Sequence, residues 1–106
     1  MTTITKAPGC QTVIATFDTS PFNCRDLLEA LLSAYEEFVS KQPGFISAAL
    51  HVNDAQTRIA NYSQWRRRED YQAMLRTDEM RKRNRVINEM CKSFEPVMYD
   101  VAATFD

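Results

Sequence analysis

Residues 43–74, PGFISAALHVNDAQTRIANYSQWRRREDYQAM, admit few folds. Gln42-Pro43-Gly44 ends a helix, because the residue before proline avoids the helical region and glycine tolerates the return of the chain. Phe45 to Asn53 then reads at period two, with Ile46, Ala48, Leu50 and Val52 on one face and Ser47, Ala49 and His51 on the other. Asn53-Asp54-Ala55-Gln56 is a hairpin loop, and Thr57 to Trp65 is the antiparallel strand that returns from it. On that strand Ile59, Asn61, Ser63 and Trp65 share one face, while Ala60, Tyr62 and Gln64 share the other. Asn61 and Trp65 therefore look the same way, four residues or roughly 13 Å apart at full extension. That spacing makes one wall of a pocket for a multi-ring molecule. From Arg67 to Leu75 the period turns helical, with Tyr71, Met74 and Leu75 on one side.

The flanks complete the pattern. Gln11 to Phe17 alternates with apolar residues on both faces, which predicts a central strand. Ser20 with Pro21 behind it, or Asn23, caps a helix whose stripe is Leu27, Leu28, Leu31, Leu32, Tyr35, Phe38 and Val39. Thr77-Asp78 opens a further helix, Glu79 to about Lys92, with Met80, Ile87, Met90, Cys91 and then Phe94 on one stripe. Pro96 is expected to stop it, and Val97, Tyr99, Val101, Ala103 and Phe105 alternate through a last strand. Strand, helix, strand, strand, helices, strand is the α+β split βαβ order, a ferredoxin-like four-stranded antiparallel sheet with helices on one face. The last strand is apolar on its second side as well, so the open sheet face calls for a partner. A homodimer with two such sheets face to face supplies one.

The 106 residues, with two glycines and four prolines, fit one domain over residues 1–106, with residues 1–10 as a loose arm. A net charge of −1 and a pI near 5.8 give the chain no general attraction for nucleic acid or anionic lipid. An RNA-binding sheet would draw on Arg81, Lys82, Arg83 and Arg85, but the third strand lacks the basic and aromatic side chains that stack bases. MTTITKAPGC has no apolar h-region and no run approaches membrane-spanning length, so the expectation is a cytoplasmic protein away from the membrane. Cys10, Cys24 and Cys91 are odd in number and lack C-x-x-C spacing, which suits a reducing compartment. With His51 the single histidine, a zinc site lacks ligands.

Pro43-Gly44-Phe45-Ile46-Ser47-Ala48, then His51, a hairpin, Asn61-Tyr62-Ser63-Gln64-Trp65 and Glu69-Asp70-Tyr71 together resemble the antibiotic biosynthesis monooxygenase (ABM) family of dimeric α+β barrels. Within that family the likeness is to the small anthrone oxygenases of aromatic polyketide pathways, and it spans the first strand to the last. The resemblance implies an oxygenase that uses no cofactor, neither metal nor flavin. Its small aromatic substrate, phenolic, anthrone-like or quinol-like, loses a proton, and the resulting carbanion or enolate reduces dioxygen. Asn61 and Trp65 would be the catalytic donors, since an amide offers two N–H groups and an indole one to a developing oxyanion. Tyr71 would line the pocket and Arg85 would be associated with it. Leu50 stands where the anthrone oxygenases that the chain resembles carry a tyrosine just before the strand-two histidine, which makes it a candidate lining residue. Arg85 falls opposite the Met80/Ile87 stripe and Arg83 falls on it, so both are candidates for substrate binding.

Each of these residues also has a plainer reading. Trp65 and Tyr71 are ordinary core residues in most small domains, whereas a buried Asn61 is costly without partners and so points to a site. Histidine is the side-chain type suited to carrying protons near neutral pH, which makes His51 a candidate proton carrier, yet it shares its face with Ser47 and Ala49. Haem degradation, known on similar barrels, needs an axial histidine on the second helical segment, where none exists. A non-catalytic ligand-binding or pathway-accessory barrel remains the alternative.

Overall fold

The computed structural model describes residues 10–105, so the arm expected over residues 1–10 lies outside the described residues apart from Cys10. The elements are β1 (Gln11–Asp18), α1 (Pro21–Glu37), a 3-10 turn (Val39–Lys41), β2 (Phe45–Val52), β3 (Arg58–Trp65), α2 (Arg68–Leu75), α3 (Asp78–Glu89) and β4 (Ser93–Tyr99). They form one antiparallel sheet of order β2-β3-β1-β4, with the helices on one face, as the split βαβ pattern predicts. No helix among the described residues is long and apolar enough to cross a membrane.

Local chemistry sets the boundaries. Ser20 caps α1, its hydroxyl accepting from the Asn23 amide at 3.3 Å, and Pro21 follows at the first helical position. Thr77 does the same for α3, accepting from the Met80 amide at 3.2 Å. The hairpin is held by Asn53, whose carboxamide oxygen accepts from the Thr57 and Arg58 amides at 2.9 and 2.8 Å, while Gln56 takes a positive φ of 56°. Gly44 has φ 85°, and a Cβ there would run into the Asp70 carboxylate. Only glycine lets the chain enter β2 so close to the first turn of α2.

The core lies between sheet and helices in two adjoining clusters. Val13, Ala34, Val39, Trp65, Tyr71, Met74 and Met80 make one, and Ala15, Phe17, Cys24, Leu27, Leu31, Ile59 and Ile87 the other. α1 contributes Leu27 and Leu31 from its stripe, and fully burying such a side chain is worth roughly 1.5–3 kcal/mol.

Three local expectations need correction. A bulge between Phe45 and Ser47 shifts the start of β2, so Phe45 rather than Ile46 pairs with Trp65 and turns inward, leaving Ile46 exposed. Pro96 is no helix stop: α3 ends at Glu89, and Pro96 sits inside β4 opposite Ala15. β4 is an edge strand, where a missing N–H is tolerated. Phe94 accordingly leaves the helical stripe and stacks on Phe17, ring centroids 4.7 Å apart. The strand also ends at Tyr99, before the alternation of Val101, Ala103 and Phe105.

Candidate functional site

β3 carries the polar residues of the interior. Its register sets Asn61 between Ala15 on β1 and Leu50 on β2, and Ser63 between Val13 and Ala48. An alanine beside each of them, Ala15 next to Asn61 and Ala48 next to Ser63, leaves space above the sheet. That space is a cavity of about 40 Å³ whose walls include Ala15, Tyr35, Asn61, Ser63, Tyr71 and Asn84. It is room for a water or two, not for a ring system.

Tyr35, from the last turns of α1, reaches down into it. Its phenol oxygen accepts a hydrogen bond from Asn61 Nδ2 at 2.7 Å and also bonds with the Ser63 side chain. Trp65 Nε1 donates to Ser63 Oγ at 3.2 Å, which joins four side chains into one network. Asn61 Oδ1 is buried with no hydrogen-bond partner among the described residues. Such an orphan acceptor costs about 1–3 kcal/mol, and native structures keep few of them without a use.

The electrostatics are those of neutral groups. Burial pushes the Tyr35 phenol above its ordinary range, offset in part by the hydrogen bonds from Asn61 and Ser63. Burial, followed by the neighbouring Tyr35 phenol, pushes Tyr71 up to about 12. Both phenols are therefore protonated at neutral pH. They can donate or accept hydrogen bonds but cannot serve as bases. The cavity walls contain no carboxylate and no imidazole, and among the described residues no three His, Cys, Asp or Glu side chains gather as metal ligands would.

A second, larger hollow lies outside. It is a cleft of about 590 Å³ between α1 and the β2 edge, bounded by Leu32, Tyr35 and Glu36 on one side, Phe45 to Leu50 on the other, and Ser40 at the end. Its size is that of sites for drug-sized ligands. Tyr35 is the residue common to both walls, and its hydroxyl meets Asn61 at the cavity.

Residues 10–85 match the antibiotic biosynthesis monooxygenase family. The chain belongs to that family. It is 34% identical over 74 residues to the tetracenomycin-F1 monooxygenase of Streptomyces glaucescens, a match covering 70% of this chain and 66%, just under two thirds, of that relative. Its fold is that of SnoaB, a cofactor-independent oxygenase from Streptomyces nogalater, with TM-score 0.74, 14% identity, and 91% of this chain and 96% of that one covered. A conserved protein from Methanosarcina mazei Go1 superposes with TM-score 0.77 at 17% identity, covering 85% of this chain and 90% of the other.

In this ABM chain the site residues read from the sequence are distributed unevenly. Asn61 and Tyr71 line the cavity together. Trp65 shares their face but is wholly buried behind it, its N–H committed to Ser63 and its ring met edge-on by Phe45 at 5.4 Å and Tyr71 at 5.8 Å. Leu50, beside Asn61 in the register, lines the outer cleft. His51 is exposed on the opposite face of the sheet. Arg85 is exposed on α3, and its neighbour Asn84 faces the cavity instead. Arg83 is half-buried and bonds Glu79 at 2.7 Å and, across to α1, Glu37 at 3.7 Å, so it ties two helices together. Tyr35 and Ser63 are the residues the sequence reading missed. The available signal was a phenol in a leucine stripe, since a buried tyrosine hydroxyl finds a polar partner.

Proposed function

We propose that this protein is a cofactor-independent monooxygenase acting on a phenolic, anthrone-like or quinol-like aromatic. The observation that carries the reading is the buried cluster of Asn61, Tyr35 and Ser63, uncharged and donor-bearing, among apolar side chains beside a ligand-sized cleft. Family membership supports oxygenation.

On this reading the substrate's oxygen lies against the Asn61 amide, whose second N–H is free to donate as negative charge develops on the ring oxygen. Trp65 acts through Ser63, fixing that hydroxyl, while Tyr71 and Leu50 shape the apolar surroundings. Loss of a proton from an anthrone methylene gives an enolate. The enolate transfers an electron pair's worth of density to dioxygen in two steps and forms a C–O bond to a peroxide. Elimination of water then leaves a carbonyl, so one oxygen atom enters the product, the other leaves as water, and the substrate supplies all four electrons. With no base in the cavity wall, the proton leaves to solvent in the cleft, where Glu36 is the carboxylate at hand. A second copy is proposed to cover the open sheet face, where Val97 and Tyr99 are exposed.

The test is oxygen uptake by purified protein with dithranol, an anthrone, against a buffer control. Quinone formation above the control, slowed about 100-fold by Asn61→Ala as for loss of an oxyanion donor, is expected. Binding of the anthrone without any oxygen uptake would identify an accessory binding protein instead.

A further inference from the structure

The Tyr35 hydroxyl is itself a phenol in the cluster that the proposed function assigns to a phenolic substrate. Its oxygen receives the Asn61 N–H at 2.7 Å and bonds Ser63, whose Oγ is held by Trp65 Nε1 at 3.2 Å. The cavity it fills is only about 40 Å³, too small for an aromatic ligand, whereas the adjoining cleft of about 590 Å³ is large enough for one and carries Glu36, Ser40 and Ser47 among mostly apolar walls. Tyr35 is the one residue lining both. A change of its staggered side-chain rotamer would remove the wall between them and open Asn61 and Ser63 to the cleft. Leu31 and Ala34, one turn back and one residue before it on α1, stay packed in the core, so the helix itself need not move.

We propose that Tyr35 is a resident stand-in for the ligand: a phenol entering from the α1–β2 cleft displaces the Tyr35 hydroxyl and takes its place on Asn61 and Ser63. The inference rests on the proposed phenol chemistry but not on turnover. It also sets a limit on size at the oxygen: a phenol replaces the Tyr35 hydroxyl in kind on Asn61 and Ser63, whereas the added methyl of its methyl ether has no room in a cavity of about 40 Å³ and keeps the ether in the cleft.

The direction of one effect separates this assignment from a purely structural tyrosine. Tyr35→Phe keeps the ring but removes the competing hydroxyl. The affinity of β-naphthol, measured by titration calorimetry in oxygen-free buffer, is expected to rise about tenfold, the equivalent of ~1.4 kcal/mol and of about one net hydrogen bond. The affinity of the methyl ether of β-naphthol, held in the cleft by its ring alone, should change by less than about twofold, since its methyl group keeps the oxygen off Asn61 whether or not the Tyr35 hydroxyl is there. Unchanged or weaker naphthol binding in Tyr35→Phe overturns the proposal, as does failure of either protein to bind naphthol. Should the variant not fold, the wild-type protein carries the test. Naphthol must shift the Asn61 side-chain amide resonances, the methyl ether must not, and equal shifts with both overturn it. Because oxygen is excluded, an inactive protein that binds as expected defeats the oxygenase reading alone. An active protein with the opposite Tyr35→Phe effect defeats only the stand-in.

Discussion

Replacing Ser63 by alanine is the sharpest perturbation of the interior network, because its hydroxyl joins the two halves. Ser63 is 2% exposed, and Trp65, whose Nε1 it accepts at 3.2 Å, is not exposed at all. Ser63→Ala removes the acceptor of a buried indole N–H, a loss of about 1–3 kcal/mol. The Tyr35 phenol loses one bond but keeps Asn61, which adds about 0.5–1 kcal/mol at most. The sum, roughly 1.5–4 kcal/mol, is a large share of the stability of a small domain. Urea unfolding followed by circular dichroism should show a lower midpoint with an unchanged slope, since the surface exposed on unfolding is the same. A double-mutant cycle isolates the cause. In a Trp65→Phe background the donor is gone, and Ser63→Ala should then cost at least ~1 kcal/mol less than in the wild type. An equal cost in both backgrounds would refute the coupling of indole to hydroxyl that joins Trp65 to the Asn61–Tyr35 pair.

Other expectations follow from the same packing. Gly44→Ala forces a side chain into a left-handed backbone and into the Asp70 carboxylate, so a loss above ~2 kcal/mol is expected in urea unfolding, beyond the ~1–2 kcal/mol of the backbone alone. Leu27→Ala, at a position with no exposure, should cost about 2–5 kcal/mol through the cavity it leaves. Tyr71 is held protonated well above its unfolded pKa of 10.0, to about 12. The folded state thus keeps a proton the unfolded chain has lost, and stability present below pH 10 should decline as pH rises toward 12, with Tyr71→Phe flattening that limb of the unfolding profile.

Much of the fold was legible because its determinants are local. Period two either side of Asn53-Asp54-Ala55-Gln56 announces the β2–β3 hairpin, and the Ser20-Pro21 and Thr77 caps announce the helices. The bulge was not legible, since Phe45 and Ile46 are both apolar and either could face inward until a partner strand selects the register. Pro96 misled for a related reason: proline excludes helix and central strand alike, and only the sheet order reveals an edge that admits it. In the site, Asn61 stood out as a polar residue on a buried face. Tyr35 did not, because a tyrosine at helical spacing among leucines looks like packing. Its hydroxyl gains meaning only when α1 is laid over β3. Arg83 lay on the α3 stripe as the spacing suggested, yet the stripe's edge meets α1, where Glu37 captures it short of the cavity.

The origin of the oxygen atom decides the matter of function. With dithranol and heavy-isotope dioxygen, the protein should form labelled quinone containing one atom from the gas, at a rate above buffer that falls about 100-fold in Asn61→Ala. Quinone formed no faster than in buffer, or formed equally fast by the Asn61→Ala variant, would contradict an oxygenase built on the buried amide.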